Sequence, residues 1–157
     1  MTIKMQLTTL SPNAQAICLK NIKQNERYEQ YAYNDENDQP IQFTITGNPT
    51  IGYGKNLRDG LDLNEAELLT TYKMCQVESE LIAARDFFVA LSPYAKIALI
   101  DMAYNLGVEG LLGLDNFIKL LSENAISAAV DDLRATKWAK QVGARAQRDI
   151  ALLETPA

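Results

Sequence analysis

Glu26 and Asp35 stand with eight residues between them, and Thr50 follows within the run Pro49-Thr50-Ile51-Gly52-Tyr53-Gly54. Cleaving an acetal needs one protonated carboxyl for the leaving oxygen and one ionised carboxylate for water or direct attack. Glu26 ends a helix-patterned segment, where an inward, buried position would raise its pKa by desolvation and make it the acid. Asp35 closes the strand-like Tyr31-Ala32-Tyr33-Asn34-Asp35 among polar neighbours and should stay ionised. Thr50 offers a hydroxyl that donates and accepts, suited to orienting the attacking water. The bland alternative for Glu26 is an ion pair with Arg145 or Arg148.

The chain has no histidine. That removes Ser-His-Asp and Cys-His catalysis and His-containing zinc sites, and leaves carboxylate chemistry. No cofactor or metal is expected. Asp35-Glu36-Asn37-Asp38 resembles the start of a calcium loop but lacks its glycine at position six and glutamate at position twelve. Cys18 and Cys75 fall on apolar rows and read as buried free thiols rather than a disulfide.

The 157 residues, 47% hydrophobic, suit one compact domain. A net charge of −5 offers no basic surface for nucleic acid. No apolar stretch approaches the roughly 20 residues of a membrane span, and Met1 to Leu10 does not read as a signal peptide.

The elements that must hold these residues follow from the pattern. Ser11-Pro12 caps a first helix, with Ala14, Cys18, Ile22 and Glu26 in one row. From about 28 to 60 the pattern turns to strands. Tyr31 and Tyr33 alternate, Phe43-Thr44-Ile45-Thr46 is β-branched and aromatic, and Gly47-Asn48-Pro49 is turn chemistry. A three-stranded antiparallel lobe is expected. Asn64 and Glu67 suggest a capping box, with Leu63 and Leu68 as its hydrophobic staple, opening a helix from about 64 to 88. Leu68, Tyr72, Cys75 and Ile82 would share one side of it. Ser92-Pro93 caps a helix whose Ile97 to Leu106 is apolar nearly all round, the mark of a central helix, and Gly107 ends it. Shorter helices are expected over 115–122, 125–135 and 143–153. The predicted fold class is α+β: a sheet lobe, a connecting helix, and a helical lobe of about 92–155 joined by helix 11–26. A cleft between lobes is the expected ligand site.

These residues resemble the phage-type lysozymes. The family's pattern of Glu, eight residues, Asp, then Gly-x-x-Thr-Ile-Gly-Tyr-Gly is met by Glu26, Asp35, Gly47 and Thr50 to Gly54. Asp101-Met102-Ala103-Tyr104-Asn105-Leu106-Gly107 resembles the family's central helix, whose end lines the sugar cleft. Thr136-Lys137-Trp138, with Arg145 and Arg148 after it, resembles its Ser-Arg-Trp and Asn-Arg-Ala-x-Arg segments. The resemblance implies a lysozyme-like fold over about 12–155. It also implies Glu26, Asp35 and Thr50 as catalytic residues, and Tyr104, Asn105 and Asn56 toward the sugar. Arg145 and Trp138 would be structural supports. Core packing is the alternative for Tyr104 and Trp138. Arg27 and Lys55 depart from the family pattern. So do the eleven residues between Asp35 and Gly47, among which Glu36 and Asp38 are rival bases.

The expected function is a peptidoglycan muramidase cleaving the β-1,4 bond between N-acetylmuramic acid and N-acetylglucosamine, inverting and bacteriolytic. Its setting would be a phage endolysin, a prophage remnant or a delivered toxin. Glycan strands are the expected partner of a monomer, and an immunity or inhibitor protein is admitted as a second. The expected route is synthesis in the host cytoplasm, then holin-dependent or other delivery to the wall. A non-catalytic sugar-binding or scaffolding domain on the same fold is the alternative from another class, and a chitinase-like glycosidase is a third.

Overall fold

The computed structural model describes residues 9–26, 28–34, 39–40, 50–51 and 55–156. Ser11 starts helix α1, Pro12–Asn25, by accepting the Ala14 N–H on its hydroxyl, with Pro12 in the first turn. Ala14, Cys18, Asn21 and Ile22 are its buried residues. The helix ends one residue before Glu26, which is extended at φ −107 and ψ 134 while its N–H still reaches Ile22 O. Leaving the helix takes Glu26 off the buried row that the four-residue spacing predicted.

Two short antiparallel pairs occupy the described part of the expected sheet lobe. Strand β1, Tyr33–Asn34, pairs with β2, Gln39–Pro40. Strand β3, Thr50–Ile51, pairs with β4, Lys55–Asn56, setting Thr50 opposite Asn56. The expected strand over Phe43 to Thr46 lies outside the described residues. A 3-10 turn, Leu57–Asp59, follows, its Arg58 N–H capped by Asn56 Oδ1. At Gly60, φ is +62, and an added Cβ would lie 2.3 Å from Gln30 O. Only glycine fits there. The neighbouring Leu61 N–H then bonds Gln30 O at 2.8 Å, and Tyr28 donates its hydroxyl to Leu61 O at 2.6 Å. These contacts lash the segment after Glu26 to the start of the next helix.

That helix, α2, spans Leu63–Ala84, two residues earlier at its cap than predicted. Asp62 is the N-cap and Glu65 completes the capping box. Asp62 and Asn64 both have an acid three residues on, so local pattern could not separate them. Lys55 decides between them: its Nζ bonds both Glu65 oxygens at 2.7 Å, fixing Glu65 as the box residue. The pairing raises the Lys55 pKa and lowers that of Glu65. Glu67 instead pairs with Lys23 of α1. The proposed staple fails, since Leu63 and Leu68 are both exposed. Tyr72 is exposed as well, so the predicted stripe holds at Cys75 and, in part, at Ile82.

Helix α2 stops short of the expected end near 88. Arg85 turns extended, and a short α3, Phe87–Ala90, redirects the chain so that Phe88 is buried. Ser92 caps α4, Pro93–Leu106, which is buried on every side from Ile97 to Ala103 and packs on α1 and α2. Gly107 ends it at φ +76, as its C-cap. There follow α5, Val108–Leu112; α6, Asp115–Ser122; α7, Ile126–Ala135; α8, Lys137–Val142; and α9, Ala144–Leu153. Helices α5 and α8 were not foreseen. Thr136 separates α7 from α8 by donating to Leu133 O and accepting from the Ala139 N–H. The two cysteines are buried and free. Among the described residues no helix is long and apolar enough to cross a membrane.

Candidate active site

Glu26 sits where α1, α4 and α9 converge. Helix α4 packs against both of the others along its length. The Arg145 guanidinium, 8% exposed, reaches through this junction from the first turn of α9. Its Nη1 donates to Glu26 Oε1 at 2.8 Å, while Nε and Nη2 hold the two oxygens of Asp101 at 3.1 and 3.2 Å. A planar fork suits this three-bond task in a way an ammonium does not. Burial alone would lower the arginine's proton affinity, but the bonds to Asp101 and Glu26 overcome it and leave the pKa raised.

Glu26 differs from the residues that hold it. Its carboxyl is 45% exposed, whereas Asp101 is wholly buried. The expectation that Glu26 is buried on a helix face is therefore corrected: the chain leaves the helix at that residue and turns the carboxyl outward. The guanidinium bonded to one of its oxygens fixes where that carboxyl sits.

Behind Arg145 lies a polar layer inside the helical lobe. Asn25 donates to Asp101 Oδ2 at 2.8 Å and accepts from Arg148 Nη2. Asn21 donates to Asp149 Oδ1 at 3.2 Å. Asp101 and Asp149 are both fully buried, and Asp149 Oδ2 has no hydrogen-bond partner among the described residues. Burial first, then the nearby Asp101, pushes the Asp149 carboxyl up to about 9. Arg148, the other partner weighed for Glu26, serves Asn25 instead.

Tyr104 projects half-buried from the last turn of α4, and burial raises its phenol pKa. Asn105 accepts the indole N–H of Trp138 at 2.9 Å. Trp138 is 6% exposed and belongs to the core, so it packs and orients Asn105 at once. Asn56 spends its side-chain oxygen on the cap of the 3-10 turn. Thr50 enters the described structure through its backbone pairing opposite Asn56. Asp35, Glu36 and Asp38 lie outside the described residues.

Asn21, Asn25 and Asp149 carry no part in the reading of the site from sequence; Asp101 enters it through motif matching, and Arg148 through motif matching and as an alternative partner of Glu26. A signal existed: Asn21 and Asn25, Asp101 and Asn105, and Arg145 and Asp149 are each four apart, so each pair shares one face of its helix.

Residues 23–152 match the family model described as phage lysozyme. A search among curated proteins gives no match.

Proposed function

The chain belongs to the phage lysozyme family, which carries glycoside hydrolase activity on the cell wall, and from that premise we propose that it is a muramidase. Its substrate would be the β-1,4 bond between N-acetylmuramic acid and N-acetylglucosamine in peptidoglycan strands. Glu26 is the general acid, Asp35 the base, and Thr50 the residue that orients the attacking water. One observation carries the reading: Glu26 is gripped by a buried guanidinium yet remains 45% open to solvent. Burying both charges of an ion pair costs desolvation that their attraction repays only with good geometry and further hydrogen bonds. Here the fixed partner is inside and the acid is presented.

In this mechanism Glu26 carries the proton when the glycan is seated over it. The proton passes to the glycosidic oxygen as the bond breaks, and Asp35 takes one from the attacking water. Tyr104 and Asn105, at the end of α4 nearest this junction, would contact the glycan, with Asn56 beside Thr50. The enzyme acts as a monomer, reaching the wall by delivery, and an inhibitor protein would cover the same cleft.

Loss of turbidity of purified cell walls tests the proposal. The wild-type protein should clear them. Glu26→Gln should fold and lose about 10² or more of that rate, the scale of general acid catalysis. A wild-type protein that binds walls without clearing them would replace this reading with a sugar-binding one. Cleavage of chitin oligomers in preference to walls would move the substrate assignment.

A further inference from the structure

We propose that Asp149 is a positioning residue: its buried carboxyl, in the protonated form, donates to Asp101 and so keeps Asp101 seated on Arg145 and Arg145 on Glu26. The inference rests on the catalytic reading of Glu26 only in its last link.

Among the described residues, no cation bonds either oxygen of Asp149. Asp101 and Asp149 are both fully buried. The groups around Asp149 are Asn21 and the Cys18 thiol from α1, Asp101 from α4, and Arg145 and Arg148 from α9. Beyond Cys18, Glu78 of α2 adds a further buried acid, bonded to Thr9. Arg145 divides its donors between Asp101 and Glu26, and Arg148 gives an Nη2 hydrogen to Asn25. Asn21 supplies one amide hydrogen to Asp149 Oδ1. Nothing among the described residues donates to Asp149 Oδ2. An ionised carboxylate with an unpaired oxygen in a dry core costs several kcal/mol. A proton on that oxygen removes the charge and converts an orphan acceptor into a donor. Its acceptor is Asp101, the neighbour whose charge acts on it most. Burial and the Asp101 charge, raising the Asp149 pKa to about 9, act in the same direction.

The consequence is a chain of fixed groups: Asn21 orients Asp149, Asp149 donates to Asp101, Asp101 takes the fork of Arg145, and Arg145 presents Glu26. One net negative charge faces the guanidinium from inside. Were Asp149 to ionise, two would face it, and the guanidinium would be drawn inward from Glu26.

The sign of the pH effect is fixed. Between about pH 4 and pH 9 the native chain holds a proton that the unfolded chain has released. Stability from this group is therefore full below about pH 4, falls as pH rises through that window, and levels above about 9. Asp149→Asn keeps a donor on the same side chain with no proton to lose. The ratio of unfolding constants, wild type to Asp149→Asn, should rise about tenfold per pH unit between pH 5 and pH 8. Infrared spectra at neutral pH should show a protonated buried carboxyl in the wild type that Asp149→Asn lacks. In wall lysis, Asp149→Val should lower kcat by at least about tenfold with KM little changed, because displacement of a reacting group is costly. Asp149→Asn should restore the loss. Should Asp149→Val not fold, the infrared band and the unfolding ratio still decide. Absence of the band, or parallel stability curves for wild type and Asp149→Asn, overturns the proposal. An inactive wild type with band and slope intact would support the shared proton and overturn only the catalytic reading of Glu26.

Discussion

Arg145 donates to Glu26 Oε1 at 2.8 Å with one nitrogen and to both oxygens of Asp101 with the other two. A residue at the start of α9 thereby ties an acid at the end of α1, 119 positions before it, to one in the middle of α4. Three helices meet on one guanidinium.

That dependence makes Arg145→Met the harshest change in this layer. It leaves Asp101 charged and buried without its main partner, a loss of about 3–5 kcal/mol. For a domain of this size the melting temperature should fall by about 6–20 °C. Arg145→Lys keeps the charge but not the fork, so it should lose less stability while still failing to hold Glu26 and Asp101 together. Calorimetry with wall lysis measured well below the transition separates the two effects. Full activity in Arg145→Lys would show that Glu26 needs no positioning.

Trp138 offers a cleaner separation of packing from orientation. Trp138→Phe keeps a buried ring but removes the indole N–H that Asn105 accepts. The stability loss should exceed the roughly 1 kcal/mol of one hydrogen bond, because the smaller ring also leaves a cavity. If Asn105 contacts the glycan, KM should rise several-fold with kcat nearly unchanged, because the bond lost fixes a binding group and not a reacting one. A pure stability effect with both constants intact would assign Asn105 to the scaffold.

The positions that sequence made legible are those where a local rule acts without competition. Ser11-Pro12 and Ser92-Pro93 each combine a capping hydroxyl with a ring that fits the first turn, and both helices start there. The all-apolar run in α4 could only be central, and it is. Long-range partners decided the other places. Lys55 selected Glu65 over Glu67, which moved the start of α2, and burial of Phe88 broke its end. Glu26 followed a helical row on paper, but a row persists only while the helix does. The Glu26–Arg145 pair was legible as one of two ion pairs open to that acid. Its polar layer was not, because one buried Asp among apolar neighbours carries no mark of the arginine that will reach it from 44 positions away.

The base remains to be separated from its rivals, and substitution does so directly. Asp35 stands at the family spacing from Glu26, whereas Glu36 and Asp38 belong to the longer segment before Gly47. Asp35→Asn should remove most wall-lytic activity, while Glu36→Gln and Asp38→Asn should keep most of it. Loss concentrated in Asp38→Asn would place the base within that segment.

Stereochemistry then tests what Asp35 does. The pairing of β3 with β4 places the Thr50 backbone beside Asn56, at the start of the turn that leads through Gly60 to α2. The contacts of Leu61 with Gln30 and Tyr28 bind that turn to the chain just after Glu26. If Thr50 holds a water between Asp35 and the sugar, attack comes from the face opposite the leaving group and the anomeric centre inverts. The two carboxyls should then stand about 6.5–9.5 Å apart, with room for that water. NMR of the first-formed anomer from a short wall fragment should show the α product. Thr50→Val should lower kcat without altering which anomer forms, since it removes the hydroxyl but not the space. A retained β product would mean that Asp35 attacks the sugar carbon itself, with the carboxyls about 5–5.5 Å apart, and Thr50 would have no water to orient.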